Sequence, residues 1–352
     1  VWVSVAGYPT AEPLLKAIST PYDIMPLALR YIHIYFAGGL ATVMYNMGAG
    51  IFRAFGDSKR PLYFLIAGCL LNIVLDIVFV GPLHMGVEGA AYATVLSQVL
   101  SLILVIVFLR KRTDCCRLVY KDIRFERQML AKTVYIGLPA GIQAVLYTVS
   151  NLIIQTAING FGTNAAAAWA AYGKLDSLFW MIISALGIAI TTFVGQNYGA
   201  GQIDRAKKGV RECIAMSLGA TLIIEALYIS FSRYGFMLFA SDADVIDVGI
   251  GILNSIAPFY FTYILIEILS GAIRGTGKAL MPTIFTVFGI CILRVLWIRT
   301  IPPIYGTLNS VMACYPATWI VTSLAFLAYY LFGNVYSQAK ALTISKTDVS
   351  ES

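Results

Sequence analysis

Long apolar segments, separated by short polar ones, make up most of this 352-residue chain. A helix needs about 20 predominantly apolar residues to cross the hydrocarbon core of a bilayer. Nine segments meet that requirement and predict helices at 24–50, 61–82, 87–110, 128–159, 164–197, 205–233, 243–273, 279–300 and 304–334. Several of them exceed the minimum length, which allows tilt or kinks. The pattern therefore predicts an all-α polytopic membrane protein.

Composition supports this prediction and excludes a soluble helical protein. Hydrophobic residues make up 59% of the chain and charged residues only 12%, about half the charged fraction of an average soluble domain. Lys and Arg concentrate in alternate connections, at 53–60, 110–132, 198–211, 274–278 and in the C-terminal tail. Since short basic loops mark the cytoplasmic face, we expect a plasma (inner) membrane protein with a cytoplasmic C-terminus. The net charge of +7 then reflects orientation and does not indicate a nucleic-acid partner.

Two polar connections carry the same pattern, Arg-x-x-Gly-x4-Pro, 221 residues apart. The motif residues are Arg53, Gly56 and Pro61 in the first copy and Arg274, Gly277 and Pro282 in the second. Independent residue usage predicts only about 0.04 such patterns in a chain of this composition. The recurrence indicates two homologous halves. Secondary transporters are commonly built in this way, with a site between the halves.

The repeat predicts two pseudo-symmetric six-helix lobes in a twelve-helix parent. Subtracting 221 from the second-half helices places the partners of 128–159 and 164–197 before residue 1 and that of 205–233 partly before it. About nine and a half of the twelve helices are then present in this chain, so we expect an N-terminal truncation. A natural nine-helix protein is the alternative. The expected N-terminal lobe, at 1–113, lacks its first two to three helices. A cytoplasmic linker at 114–129, a C-terminal lobe at 130–335 and a cytoplasmic tail at 336–352 follow it.

Asp76 is the acid that stands out in the first half. It lies in an otherwise apolar predicted helix, one turn after Asn72, so both side chains project from one face. A carboxylate at membrane depth is costly unless it faces a polar cavity or a partner. Such a pair can carry a proton or hold Na⁺ between its oxygens. The alternative is a carboxylate near the end of the helix that is satisfied by water.

The second half has its own intramembrane charges. Glu267 lies one turn after Tyr263, and an acid beside aromatic rings suits an organic cation; alternatively, Glu267 pairs with Arg274. Glu225 is a third acid, with no partner evident in the sequence. Lys174 and Arg294 are cations within apolar runs, and for both we expect the charged group to extend to an interface.

The sequence gives little support for a metal site or for a catalytic nucleophile. The chain has only six Cys and two His, and none of them has metal-ligand spacing. No nucleophile–base pair is evident either. We therefore expect a protein that is not an enzyme and needs no cofactor beyond a coupling ion, H⁺ or Na⁺.

Several motifs together resemble the multidrug and toxic compound extrusion (MATE) transporters, prokaryotic branch. They are the repeated loop, the Asn72-x3-Asp76 helix, the run from Gly86 to Thr94, Gly137-Leu-Pro139, and Gly195-Gln-Asn-Tyr-Gly-Ala-Gly201 followed by Arg205. The resemblance covers nearly the whole chain. It implies a monomeric exporter that moves small organic, often cationic compounds through the lipid bilayer by antiport with H⁺ or Na⁺.

The resemblance also implies candidate sites. The first-lobe cation site of the family corresponds to Asn72, Asp76 and Thr94, and its first-helix Asp would precede residue 1. Another branch uses acids on the seventh and tenth helices. Here the seventh helix has no acid, which argues against a second coupling site. The expected substrate cavity comprises Asn46, Gln143, Tyr147, Tyr260, Tyr263 and Glu267.

Two alternatives to an exporter follow from the same sequence. One is a flippase for lipid-linked precursors from the same superfamily, which would need several basic residues along its cavity. Only Arg30, Lys174 and Arg294 are candidates for that role. The other is a membrane binding protein that does not transport, which the repeat and the intramembrane acids disfavour.

Overall fold

The computed structural model describes residues 2–17, 24–111 and 117–336. These residues form helices, short helical turns and connections, with no strand among them. The described chain contains nine helical spans that are long and apolar enough to cross a membrane, Met25–Ala54, Lys59–Val80, Gly86–Arg110, Arg127–Asn159, Thr163–Gly199, Ile203–Met237, Ala243–Gly275, Leu280–Tyr305 and Leu308–Phe332. Each overlaps one predicted helix, so the all-α polytopic prediction is confirmed.

The chain divides into two compact units, residues 1–124 and 125–352. The division lies inside the predicted linker. The first unit contains α1 (Trp2–Ala17), α2 (Met25–Ala54), α3 (Lys59–Val80) and α4 (Gly86–Arg110), followed by a 3₁₀ turn, Tyr120–Asp122. Helix α4 packs against both α2 and α3. The core of this unit includes Phe52 and Phe64, whose rings meet edge to face with centroids 5.8 Å apart.

The second unit has more helices than the first. They are α5 (Arg127–Asn159), α6 (Thr163–Gly199), α7 (Ile203–Met237), α8 (Ala243–Ile256), α9 (Tyr260–Gly275), α10 (Leu280–Thr286), α11 (Leu293–Thr300), α12 (Pro302–Tyr305), α13 (Leu308–Met312) and α14 (Cys314–Phe332). A 3₁₀ turn, Ala257–Phe259, joins α8 to α9, and a π-helical turn, Val287–Ile292, joins α10 to α11.

Three prolines inside apolar segments, Pro139, Pro258 and Pro316, act in different ways. Pro258 lies in the 3₁₀ turn between α8 and α9, because its ring removes a backbone donor and disfavours a continuous helix. Pro316 lies in the first turn of α14, where a missing N–H is tolerated. Pro139 lies inside α5, which stays helical through it. Of these three prolines, only Pro258 therefore interrupts its membrane span.

Helix α9 is the centre of the second unit, and most of its residues are buried. It approaches α6 closely. A methyl group at Gly271 would lie 2.8 Å from the carbonyl oxygen of Gly187, and one at Gly275 would lie 2.8 Å from that of Thr191. Small residues four apart allow two helix backbones to meet in this way. The contact fixes α6 and α9 side by side, and both helices carry charged residues into the unit.

The predicted repeat is present in the structure. Adding 221 to the bounds of α2, α3 and α4 gives 246–275, 280–301 and 307–331. These ranges correspond to the spans Ala243–Gly275, Leu280–Tyr305 and Leu308–Phe332. The same offset carries α1 onto 223–238, the last part of α7. The second copy is more interrupted than the first, because Pro258 and the π-helical turn have no equivalent in α2 and α3.

Candidate functional site

The three residues predicted for a first-lobe cation site, Asn72, Asp76 and Thr94, lie on α3 and α4 of the first unit. Asn72 and Asp76 are half-buried on α3. The Nδ2 atom of Asn72 and the Oδ1 atom of Asp76 are both shielded from solvent, and neither has a hydrogen-bond partner. Unpaired buried polar atoms are costly. The unpartnered Asp76 oxygen is an acceptor and suits a site that a proton or a cation completes.

The other first-unit candidates already have local partners. Thr94 on α4 donates its hydroxyl proton to the Ala90 carbonyl oxygen at 3.0 Å, and its lone pairs stay available to a cation. Asn46 on α2 is exposed, and its amide donates to the carbonyl of Thr42 at 2.9 Å. Asn46 thus lies in the first unit, whereas the other five predicted cavity residues belong to the second.

A cavity of about 610 Å³ lies within the second unit, a size typical of sites for small organic molecules. Gln143, Tyr147, Tyr263 and Glu267, four of the predicted residues, line it. Its walls also hold aromatic residues that the sequence analysis did not single out, Trp169, Tyr172, Trp180 and Tyr315. The cavity therefore combines aromatic surfaces with a small number of polar groups.

Glu267 accepts a hydrogen bond from the Tyr263 hydroxyl at 3.3 Å. Among the described residues, no ion pair joins it to Arg274, although Arg274 also lines the cavity. The expected alternative, a Glu267–Arg274 pair, is thus not formed. The Glu267 side chain lies against Gly187 of α6, where a methyl group would come within 2.4 Å of its Oε1 atom. The glycine leaves room for the carboxylate.

Tyr260 is fully buried behind the cavity wall. Its ring stacks on Phe179 with centroids 4.1 Å apart. The Tyr260 hydroxyl lies 2.6 Å from Asp176 Oδ1, to which it donates, and 2.9 Å from the hydroxyl of Tyr172. Trp180 donates its indole N–H to Asp176 Oδ2 at 2.5 Å. Tyr260 therefore supports an acid, Asp176, that lines the cavity.

The sequence analysis missed Asp176. The only charged residue considered in this segment was Lys174, two residues earlier, which was expected to extend to an interface. Lys174 is exposed in the structure. The signal lay in the spacing of Trp169, Tyr172, Asp176 and Trp180, which places all four on one face of α6. All four line the cavity.

The expectation for Arg294 was wrong. It does not extend to an interface, because its side chain is completely buried, with 0% exposure. Its guanidinium carbon lies 4.4 Å from the ring centre of Tyr315 and 5.5 Å from that of Tyr147. It also donates to Asn151 Oδ1 at 3.2 Å. Arg294 therefore lies directly behind three cavity-lining residues, held by aromatic faces and an amide.

Two of the buried atoms without partners in the described part of the second unit belong to charged side chains. They are the Nη2 atom of Arg294 and the Oε1 atom of Glu225. Glu225 on α7 is 8% exposed, and the backbone N–H of Phe261 lies within hydrogen-bonding reach of its carboxylate.

The two loop motifs adopt matching turns. Gly56 and Gly277 both have positive φ, 81° and 86°, a conformation that favours glycine. Asp57 caps the first turn of α3 by accepting from the Arg60 N–H at 3.2 Å. The Pro61 carbonyl accepts from the buried hydroxyl of Tyr45 at 3.1 Å. The motif is thus a structural turn between two spans.

Comparison with known proteins gives one consistent result. The MatE family model matches residues 1–78 and 139–298. Probable multidrug resistance protein YoeA of Bacillus subtilis (strain 168) is 29% identical over 348 residues, which are 94% of this chain and 73% of that protein. Probable multidrug resistance protein YpnP of the same organism is 29% identical over 289 residues, which are 82% of this chain and 64% of that protein.

The fold also matches solved structures. An outward-facing conformation of a multidrug resistance MATE family transporter of the MOP superfamily superposes with a TM-score of 0.87 at 23% identity, covering 97% of this chain and 76% of that one. This likeness concerns the fold alone. The matched spans extend over both units described above.

Proposed function

This chain belongs to the MatE family of membrane transporters, and from that premise we propose that it exports small organic, often cationic compounds by antiport with H⁺ or Na⁺. The chain spans 73% of the length of one relative and 64% of another. The proposal applies to the transport unit to which these residues belong. It requires no cofactor beyond the coupling ion and no enzymatic step.

The observation that carries the proposal is the cavity of the second unit. Two carboxylates, Asp176 and Glu267, face a space bounded by aromatic rings. Carboxylates attract a cation, and the faces of Trp and Tyr rings add cation–π attraction that increases when the site is dry. A volume of about 610 Å³ accommodates a drug-sized molecule. Flat, aromatic cations match all three properties.

The coupling site is proposed in the first unit, at Asn72, Asp76 and Thr94. The unpartnered oxygen of Asp76 and the half-buried amide of Asn72 support it. An antiporter needs a group whose occupancy differs between the inward- and outward-facing states. A carboxylate at membrane depth meets that need, since it binds a proton or Na⁺ in one state and releases it in the other.

A lipid-linked cargo with a pyrophosphate group is less well supported. Of the three basic residues considered for that role, Arg30 pairs with Glu88 at 2.7 Å, Lys174 is exposed, and Arg294 lies behind the cavity wall. Arg274 is the one basic residue that lines the cavity in the described structure, against two acids. This balance favours a cationic cargo over a polyanionic one.

We further propose a monomer in the plasma (inner) membrane with its C-terminus in the cytoplasm. The support is the distribution of basic loops, since Lys and Arg of short connections stay on the cytoplasmic side. The nine membrane-length helices among the described residues are consistent with that orientation.

Transport by reconstituted protein tests the proposal. The transport unit to which these residues belong is placed in liposomes, and uptake of ethidium is followed by fluorescence after a pH gradient or a Na⁺ gradient is imposed. We expect uptake that depends on one gradient and stops when the matching ionophore dissipates it. Asp76→Asn should abolish the gradient dependence. Glu212→Gln is the matched control, because Glu212 is 62% exposed and pairs only with Lys208.

The outcomes separate the alternatives. Ethidium that binds but never accumulates would indicate a binding protein without transport. Accumulation that stays gradient-dependent in Asp76→Asn would move the coupling site elsewhere. Wild-type behaviour of Glu212→Gln shows that the effect of Asp76→Asn does not come from the loss of any carboxylate.

A further inference from the structure

A hydrogen-bonded chain in the second unit joins Asp176, which lines the cavity, to a second cavity residue, Tyr172, through Tyr260. The Tyr260 hydroxyl lies 2.6 Å from Asp176 Oδ1 and 2.9 Å from the Tyr172 hydroxyl. Tyr172 lines the cavity, whereas Tyr260 is fully buried. The chain therefore begins at a carboxylate oxygen and ends at Tyr172, a wall residue of the cavity that is 2% exposed.

The donors around Asp176 decide which oxygen can take a proton. An indole N–H only donates, so Trp180 requires Oδ2 to accept in every state. Hydroxyl groups can donate or accept. Oδ1, which faces Tyr260, is the oxygen at which a proton can sit without breaking any hydrogen bond.

The chain has two complete arrangements. When Asp176 is a carboxylate, Tyr172 donates to Tyr260 and Tyr260 donates to Oδ1. When Asp176 is protonated, Oδ1–H donates to Tyr260 and Tyr260 donates to Tyr172, whose own proton then points away from the chain. Every bond between the three groups persists in both arrangements. Reversal of the two hydroxyls is thus the only rearrangement that protonation demands.

We propose that Asp176 is a proton-binding site of the second unit, which exchanges its proton with the cavity through Tyr260 and Tyr172 and releases it when a cationic cargo binds. In the release step the Oδ1–H bond breaks as its proton passes to Tyr260, the proton of Tyr260 passes to Tyr172, and the proton of Tyr172 passes to solvent. No electrons are transferred. The carboxylate that remains balances the charge of the cargo.

The surroundings contain no competing counter-ion at close range. Within the described residues, no Lys, Arg or His forms an ion pair with Asp176. Helix α8 presents no charge to it, since Asp247 pairs with Arg233 at an exposed position. The ionisable groups that face Asp176 or share its cavity are Tyr147 on α5, Tyr172 on α6, Tyr228 on α7, Tyr260, Tyr263, Glu267 and Arg274 on α9, and Tyr315 on α14.

This inference rests on the proposed function, because it assumes that a cation enters the cavity. It differs from the coupling site at Asp76 and can fail independently. Linkage gives the measurable consequence. If binding a cation releases one proton, affinity rises by up to tenfold for each unit of pH over the range in which the group titrates.

The test uses the purified full chain in detergent and tetraphenylphosphonium as the probe. The dissociation constant of tetraphenylphosphonium is measured from about pH 5 to 8 in the Asp76→Asn variant, which lacks the first-unit acid. Adding Asp176→Asn should remove the remaining pH dependence. The matched double variant, Asp76→Asn with Glu267→Gln, should keep it. A pH dependence that follows Glu267 and not Asp176 overturns the inference.

A second variant keeps the inference testable if Asp176→Asn does not fold. Tyr172→Phe retains the ring and removes the outer hydroxyl of the chain. We expect the same pH dependence of affinity at equilibrium, but proton release after mixing with tetraphenylphosphonium, followed by a pH-sensitive dye in stopped flow, should slow at least about tenfold. Release at the wild-type rate would show that the proton leaves by another route.

The proposed function and this inference fail in different ways. Loss of gradient-driven transport in Asp76→Asn together with a pH-independent affinity in that variant would support the first and refute the second. A pH-dependent affinity that requires Asp176, in a protein that never accumulates ethidium, would support the proton site and refute transport.

Discussion

Gly56 and Gly277, 221 residues apart, form the same turn. Their φ angles are 81° and 86°. Each donates its backbone N–H to the carbonyl oxygen of the arginine three residues earlier, Arg53 or Arg274, at 2.9 Å. Each turn joins two membrane spans of its unit. The repeat is therefore conserved between the halves in backbone conformation as well as in residue type.

The shared conformation predicts that both glycines resist substitution. A side chain at positive φ brings its Cβ atom too close to the backbone, at roughly 1–2 kcal/mol for each residue. Gly56→Ala and Gly277→Ala should each lower the free energy of unfolding by about that amount, although nothing lies within 4 Å of the added methyl group at Gly277. Thermal unfolding of the purified variants measures the effect.

Gly50→Ala serves as the control. Gly50 lies inside α2 with no atom within 4 Å of an added methyl group and with ordinary helical geometry. Alanine favours helices over glycine by about 1 kcal/mol, so this variant should be neutral or more stable. If all three variants lost stability equally, backbone strain at the turn would not be the cause.

Most of the fold could be predicted from the sequence, because apolar length is a strong signal in a membrane protein. Each predicted span has its counterpart, and the 221-residue offset recovers the equivalent helices. The interruptions were less predictable. Pro139 and Pro258 look alike in the sequence, yet only Pro258 breaks its helix. Neighbouring helices decide whether a freed carbonyl is satisfied.

The site was predictable only in part. Glu267 stood out because it is an acid in a long apolar run, and it does line the cavity. Arg294 stood out equally but was misread, since its stabilising partners, Tyr147 and Tyr315, come from segments distant in sequence. Asp176 was overlooked although the spacing of aromatic residues marked its face of α6. Its hydrogen bond from Tyr260 depends on the packing of α9 against α6, and a tertiary contact of that kind leaves no local pattern.

The Asp76 side chain should lower the free energy of unfolding of the protein when no ion is bound. Its Oδ1 atom is buried without a partner, at a cost of about 1–3 kcal/mol. Asp76→Leu should therefore raise the unfolding temperature, and it should remove any stabilisation that Na⁺ or acid gives the wild type. Asp57→Leu should lower it, because Asp57 caps α3 and pairs with Arg60 at 3.2 Å. A lower unfolding temperature for Asp76→Leu would mean that its carboxylate already has a stabilising partner.

The proposed orientation predicts opposite labelling of two loops. Ser58 lies in the turn between α2 and α3, and Ser241 lies between α7 and α8. The spans place these turns on opposite faces if each crosses once. In a background without the natural cysteines, Ser241→Cys should react with an impermeant maleimide added to intact cells. Ser58→Cys should react only after the membrane is opened. Labelling of Ser58→Cys from outside would reverse the assigned orientation.

Arg294 places a positive charge directly behind the cavity wall. It contacts Tyr147, Asn151 and Tyr315, all of which line the cavity, and it forms no ion pair with any described carboxylate. Its charge is balanced by ring faces and neutral oxygens alone. A cationic cargo in the cavity therefore meets repulsion from Arg294 as well as attraction from the carboxylates.

Replacing that charge should strengthen cation binding. Two like charges about 10 Å apart repel by about 1.7 kcal/mol at an effective dielectric constant of about 20, so Arg294→Met should tighten tetraphenylphosphonium binding roughly tenfold. Methionine fills much of the volume, whereas Arg294→Ala would leave a cavity that costs stability. Arg299→Met is the control, because Arg299 is an exposed residue of the same helix and solvent screens its charge. Equal affinity in wild type and Arg294→Met, measured by equilibrium dialysis of folded protein, would mean that the cargo binds beyond the reach of this guanidinium.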